Sequence, residues 1–345
     1  MNRRLTVVSI IVALLLLVLT LGCGARSSES GQNGNPAAPS GSLSASDILA
    51  KALANNSSTK SAKATFEANV AFDTDPAKLS DQTKAYVSQP IKITGDLASS
   101  SDPVQMELGV SGSLAGQSLD LGLEYVGSSS WIKYAGQWYQ TPPEVQKSMS
   151  DSVGSVGQFD GNKMLSDAGI DPKAWMTQLT LAGSEQVAGV DAYHLTAHPD
   201  VAKMLTDVFA LLQNGQLQKL MGSMTSGSTP TLPSTSADSM KQMQEQLTSM
   251  LRDSKVELWV AKDGFAVVKM AVSATIVPPK GTDSQGINSV TIGFSLQLSD
   301  INKPLTLQPP ASSKTWADFQ KAIADDPGLL GSLFSMAASS SSTSQ

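Results

Sequence analysis

The side chains that build most catalytic and metal centres are scarce in this 345-residue chain, which has one cysteine and two histidines. A single cysteine rules out an intramolecular disulfide framework. Two histidines leave little material for a His-based metal centre or general base. Aromatics make up 5% of residues, and charged residues 16%, where about a quarter is usual. Lys and Arg number 24 against 30 Asp and Glu, for a net charge of −6. That balance argues against a nucleic-acid binder that works by electrostatics. The chain also has no Gly-x-Ser-x-Gly elbow, no Walker loop and no His-Glu-x-x-His. Asp73 and Asp75 lack the rest of a calcium loop, and Asp300 reads as a turn residue. His194 and His198 stand four apart in a strand-like alternation, about 13 Å by strand rise, too far for one zinc. The expectation is a protein that is not an enzyme, with no catalytic residue, no metal and no cofactor.

The long apolar run sits at the start. Arg3 and Arg4 precede an apolar stretch over 7–21 broken only by Ser9 and Thr20, and Gly22-Cys23 follows. A basic region, an apolar core and a small residue at the cut make a secretory signal. Thr20-Leu21-Gly22-Cys23 resembles a bacterial lipobox, although Thr20 stands where Leu is usual. The resemblance implies diacylation of Cys23, which becomes the new N-terminus. The competing reading is an uncleaved anchor over 5–25, which is just long enough to span a bilayer. Both readings put the body outside the cytoplasm, with Arg3 and Arg4 inside. Two acyl chains hold a protein firmly where one does not. Cleavage removes those two arginines and takes the net charge from −6 to −8.

Residues 23–43 are rich in Gly, Ser, Asn, Pro and Ala, which makes a tether unable to bury a core. Residues 326–345 form a Ser-rich tail, and 225–236 a low-complexity loop. Between them, 44–325 reads as one domain with a helical insertion at 199–254. A Ser cap and a stripe of Ile48, Leu49, Ala52 and Leu53 predict a helix over 46–55. Alternation of Ala64, Phe66, Ala68, Val70 and Phe72 with polar neighbours predicts a half-buried strand. Further strands are predicted at 91–97, 104–110, 119–125, 130–134, 137–140, 184–187, 190–197, 256–262, 265–277 and 288–299. Ala135-Gly136, Ala188-Gly189 and Asp263-Gly264 mark hairpin turns. Residues 141–181 read as short helices and loops. Pro199 is expected to open a long helix. Met240, Met243, Leu247, Met250 and Leu251 predict a second amphipathic helix, and 314–324 a closing one. No fixed-period repeat is evident. The count is nine or ten strands, with one apolar and one wet face, and the helices are the only candidates to cover the apolar one. The fold class expected is α+β: a curved antiparallel β-sheet, a half-barrel, with helices covering its concave apolar face.

This order of elements resembles the LppX/LprG-type lipoproteins of actinobacteria and the wider LolA-like carrier fold. Residues 48–66 resemble the family's opening helix, its turn (Thr59-Lys60-Ser61-Ala62-Lys63) and its first strand. Residues 129–139, ending Gly136-Gln137-Trp138-Tyr139, resemble its hairpin. Residues 256–264 resemble its late strand pair, and 298–310 its closing strand and Pro exit. The stretch 199–252 is longer than the family usually carries. The resemblance implies an apolar cavity between sheet and helices that holds acyl chains. Small and medium residues such as Ala64, Ala68, Val70, Val110, Leu119 and Leu121 would leave room for one. The candidate lining is Phe66, Val70, Met106, Leu108, Val110, Leu119, Leu121, Leu123, Met204 and Val208. The competing reading is a filled core, with the helices pressed onto the sheet. The methionines between 204 and 250 read first as core filler, with an adaptable lid as the competing reading.

The function expected is a lipid-anchored protein on the outer face of the cell membrane that binds or transfers a lipid or other amphiphile. Its partners would be the membrane, that ligand and an envelope protein, with no nucleic acid. The alternative is a non-enzymatic envelope sensor or regulatory interaction protein on the same scaffold.

Overall fold

A computed structural model of the chain describes residues 43–55, 59–114, 117–147, 165–213, 242, 245–246, 248–279 and 286–326. Cys23, the signal, the tether, the loop at 225–236, most of the second amphipathic helix and the end of the tail lie outside them.

Eleven strands form one open antiparallel sheet in the order β6-β5-β4-β3-β2-β1-β11-β10-β9-β8-β7. The strands are β1 Ser61–Thr74, β2 Ile91–Ser101, β3 Val104–Leu114, β4 Gln117–Val126, β5 Ser129–Tyr134, β6 Gln137–Gln140, β7 Met176–Val187, β8 Val190–Pro199, β9 Leu251–Ala261, β10 Val267–Ile276 and β11 Ile287–Ser299. The chain therefore makes two meanders. The first runs outward from β1 to β6, the second inward from β7 to β11, and β11 seals the two by pairing along β1, for example Phe66 opposite Leu296. The named helices among the described residues are α1 Ala45–Asn55, α2 Asp81–Val87, α3 Val201–Gln213 and α4 Trp316–Ala324. This is the α+β class with the open antiparallel sheet expected, consistent with a half-barrel.

The local signals explain most elements. Ser44 and Asp47 cap α1 reciprocally: the Asp47 amide donates to Ser44 Oγ (3.2 Å) and the Ser44 amide to Asp47 Oδ2 (3.3 Å). Thr315 and Asp318 form the same box at α4. Ala135-Gly136 (φ 48° and 80°) and Ala188-Gly189 (φ 49° and 80°) make tight turns with two left-handed residues, which suit the twist of their hairpins.

Four expectations change. Strand β7 begins at Met176, not Ser184. Its first half carries two bulges, with Gln178 at φ 51° and Gly183 at φ 153°, so strict alternation fails there. Pro199 closes β8 and does not open the helix. Asp200 caps α3 instead, its carboxylate accepting from the Lys203 amide (2.9 Å) and its carbonyl from the Met204 amide (2.9 Å). The described residues of the second amphipathic helix end at Met250, and Leu251 already belongs to β9, five residues before the predicted strand start. Helix α2, unforeseen, starts where Ser80 Oγ accepts the Thr83 amide (3.1 Å).

Candidate ligand face of the sheet

Period-two alternation and the observed register put the apolar residues on one face, here the inner face. One row runs Ala64, Leu97, Leu108, Leu123, Ile132 and Tyr139 from β1 to β6. The next runs Phe66, Gly95, Val110, Leu121 and Tyr134. From β1 the other way, Phe66 continues to Leu296, Met270, Leu258 and Leu195. No ionisable group interrupts these rows apart from the tyrosines.

Among the described residues, helices α1 and α4 pack on this face. Near β8 and β9, Ile48, Leu49 and Ala52 of α1 pack on Leu195, Leu258 and Val260. On β5 and β6, Phe319 of α4 packs on Tyr134 and Tyr139, with ring centroids 6.1 and 5.3 Å apart, and Trp316 backs it at 4.6 Å. On this face buried residues lie under these helices, at Tyr125 of β4 and along β11, where Phe294, Leu296 and Leu298 meet Ala64. The stretch between differs. Phe66, Ala68, Val70, Phe72, Ile91, Ile93, Leu97, Met106, Leu108, Val110, Leu119, Leu121 and Leu123 are all only half-buried. These strand residues keep part of their apolar surface open although they lie mid-sheet.

Gly95 shapes the centre of this face. A Cβ there would stand 2.3 Å from Phe66 Cζ and 2.4 Å from the Gly109 carbonyl oxygen. The absent side chain lets the Phe66 ring lie across β2 rather than stand off the sheet.

The eight strand residues predicted as lining, Phe66 and Val70 of β1, Met106, Leu108 and Val110 of β3, and Leu119, Leu121 and Leu123 of β4, thus share one face of the sheet, with β2 between β1 and β3. Met204 lies half-buried on α3, which is anchored beside the start of β7: Trp175 Nε1 donates to Asp207 Oδ2 (2.7 Å), and Lys203 also binds that carboxylate. Nothing is described for the side chain of Val208. The two histidines take separate partners: His194 meets Glu257, and His198 Nδ1 meets the Ser254 carbonyl (3.0 Å).

Two features of the outer face were not legible as sites. Glu107 and Glu124 are direct cross-strand partners on β3 and β4. Glu124 is buried, and that burial, helped by the Glu107 charge, pushes its carboxyl up to about 7. Beside them, Gln105 pins the segment after β11: its amide nitrogen donates to the Leu305 carbonyl, and its oxygen accepts from the Leu307 amide (3.0 Å). The second feature is a cluster around His194. On the inner side, burial and a hydrogen bond to Asp326 push Tyr134 up to about 12.

No family model matches the chain, and no curated protein matches it. Solved structures that are similar include lipoprotein LppX of Mycobacterium tuberculosis, at 9% identity over 76% of this chain and 96% of that one, with a TM-score of 0.31. LprF from Mycobacterium bovis follows at 11% identity, over 78% of this chain and 97% of that one, with a TM-score of 0.34. MucB in complex with MucA(peri) stands at 14% identity, over 77% of this chain and 60% of that one, with a TM-score of 0.23. Lipoproteins of the LppX type, which the sequence resembles, are thus among the structures this chain is similar to. Overlaps of this extent decide neither ligand nor partner.

Proposed function

We propose that this chain is a lipid-anchored extracytoplasmic protein that binds or transfers a lipid or other amphiphile on the inner face of its sheet. One observation carries the reading: most apolar side chains on the inner face of β1 to β4, Phe66, Val70, Leu97, Leu108, Val110, Leu119 and Leu123 among them, form a field free of charge and only half-buried. Acyl chains laid on that field would gain about 0.8 kcal/mol per CH₂ removed from water. In this reading residues 1–22 are the signal, Cys23 carries the acyl groups, 23–43 is the tether, 44–325 the ligand domain and 326–345 a tail. The apolar run, the Gly22-Cys23 pair and the tether composition support it.

The test is purification without detergent, followed by native mass spectrometry and solvent extraction of the intact protein. Co-purifying lipid, displaced in the Leu121→Asp variant while that variant stays folded, is the expected result. A protein that is empty after every preparation and fails to take up a fluorescent fatty acid would sink the reading. Crosslinking of that empty protein to one envelope protein would then favour the sensor.

A further inference from the structure

Strand β7 is an edge, with β8 as its one neighbour in the sheet. The opposite edge, β6, is covered: the Gln140 amide donates to the Lys314 carbonyl and the Lys314 amide to the Trp138 carbonyl, both at 2.9 Å. No such cover is described for β7, whose side chains from Thr180 to Gln186 are all exposed. Two bulges also interrupt its ladder with β8. Its side chains therefore matter more than usual for holding it in place.

One of them reaches past β8 to β9. Glu185 accepts a hydrogen bond from Trp259 Nε1 and lies 3.3 Å from His194 Nδ1. The other ring nitrogen, His194 Nε2, lies 3.1 Å from Glu257 Oε1 on β9. The His194 ring stacks flat on Trp259, with centroids 4.5 Å apart and planes 9° from parallel. Further charges surround the group. Lys255 of β9 binds Glu257 (2.8 Å), and Lys269 of β10 sits 4.4 Å over the Trp259 ring. On the loop after β11, Ile301 packs into the same cluster, and its neighbour Asp300 is tied to Lys63 (3.4 Å) and Lys303 (3.0 Å). At the hairpin end, Asp191 of β8 accepts from Gln186 (3.1 Å).

We propose that His194 is a proton-operated latch that ties edge strand β7, through Glu185, to Glu257 of β9. Each imidazole nitrogen faces a carboxylate oxygen, and a carboxylate can only accept. The imidazolium keeps its hydrogen bond to Glu257 and pairs by charge with the Glu185 carboxylate 3.3 Å away. Neutral imidazole has one N–H and serves one carboxylate, leaving its bare nitrogen facing the other. The stacked Trp259 keeps the ring from turning away. Gaining the proton therefore fastens β7; losing it removes that ion pair and leaves Glu185 with its hydrogen bond from Trp259. Histidine is the side chain that makes this exchange between about pH 5 and 8.

The experiment is hydrogen exchange on the full chain from pH 5 to 8, corrected for the intrinsic pH dependence of exchange and resolved by peptide, with the two imidazole resonances followed by NMR. Protection of residues 176–187 is expected to fall by about threefold as His194 loses its proton, on the scale of one exposed ion pair. His194→Gln should abolish the step. Glu185→Gln, which keeps an acceptor for Trp259 but loses the charge, should shrink it. His198→Gln should leave it intact. Equal protection of β7 at both ends of the range would overturn the proposal. So would a step that survives in His194→Gln, or one that appears equally in β8 and β9.

Discussion

At the scale of single residues, two positions show what the neighbours of a side chain do to it. Gly95 takes its value from Phe66: the ring occupies the space a Cβ would need, so the centre of the inner face stays low. Glu124 takes its value from burial and from Glu107 directly across the ladder. An acid whose folded pKa is raised binds protons more tightly when folded than unfolded. Stability is then greatest below the unfolded value near 4.5 and falls as pH rises toward about 7. The wild type should lose roughly 3 kcal/mol across that window through this group, an upper figure from the shift alone. Glu124→Gln should flatten that part of the curve and be more stable than the wild type at pH 8. Urea titrations of both proteins at pH 4.5 and 8 measure this, and parallel pH curves would refute it.

At the scale of elements, the helices are held by few, specific contacts. Helix α4 depends on Phe319, which is buried against Tyr134, Tyr139 and Trp316. Phe319→Ala should cost about 3–5 kcal/mol as a buried aromatic lost from a packed site. The loss should concentrate on β5, β6 and the Lys314 edge contact, visible as faster exchange there than in β8 to β10. A uniform loss across the sheet would show that α4 is not a local clamp. Helix α3 is anchored differently, by a polar bond, because Asp207 is buried and needs the donors Trp175 and Lys203.

Legibility in the sequence followed the same division. Strands β1 to β6 are readable because each alternates cleanly, and two turns because the Ala135-Gly136 and Ala188-Gly189 pairs take left-handed backbone; at the third, the left-handed pair is Gly264-Phe265, one residue beyond the predicted Asp263-Gly264. The eight strand residues predicted as lining do share a face, since period two fixes facing once the strands pair. Strand β7 was only half readable. Its bulges shift the phase of the side chains, and bulge positions depend on the partner strand. The start of β9 was misread because Met250 and Leu251 continue a helical stripe while pairing to β10 wins at Leu251. His194, judged as a poor zinc ligand, showed no other role in sequence. Its partners Glu185 and Glu257 come from positions 9 and 63 residues away.

At the scale of the whole molecule, the two meanders meet along β1 and β11, the pairing of longest sequence separation. The inner face is continuous only because of that seam. Attachment to the membrane is a separate question from ligand binding, since Cys23 precedes the domain. Cys23→Ala should move the protein from the membrane fraction to the soluble extracytoplasmic fraction and leave uptake of a fluorescent fatty acid by the domain unchanged. Variant protein that stays with the membrane in high salt would point to the uncleaved anchor.

The sequence by itself determined the leader-like start with its single cysteine, the strand-rich α+β class, the hairpin turns and the split of each strand into an apolar and a wet side. These are local properties, set by residue spacing and backbone preference. The tertiary structure alone decided that β11 joins β1, where the described helices α1 and α4 pack on the sheet, and that Glu107 meets Glu124 and His194 meets two carboxylates. Those depend on which strands lie side by side, and cross-strand neighbours are fixed by packing over the whole chain rather than by the residues next to them in sequence.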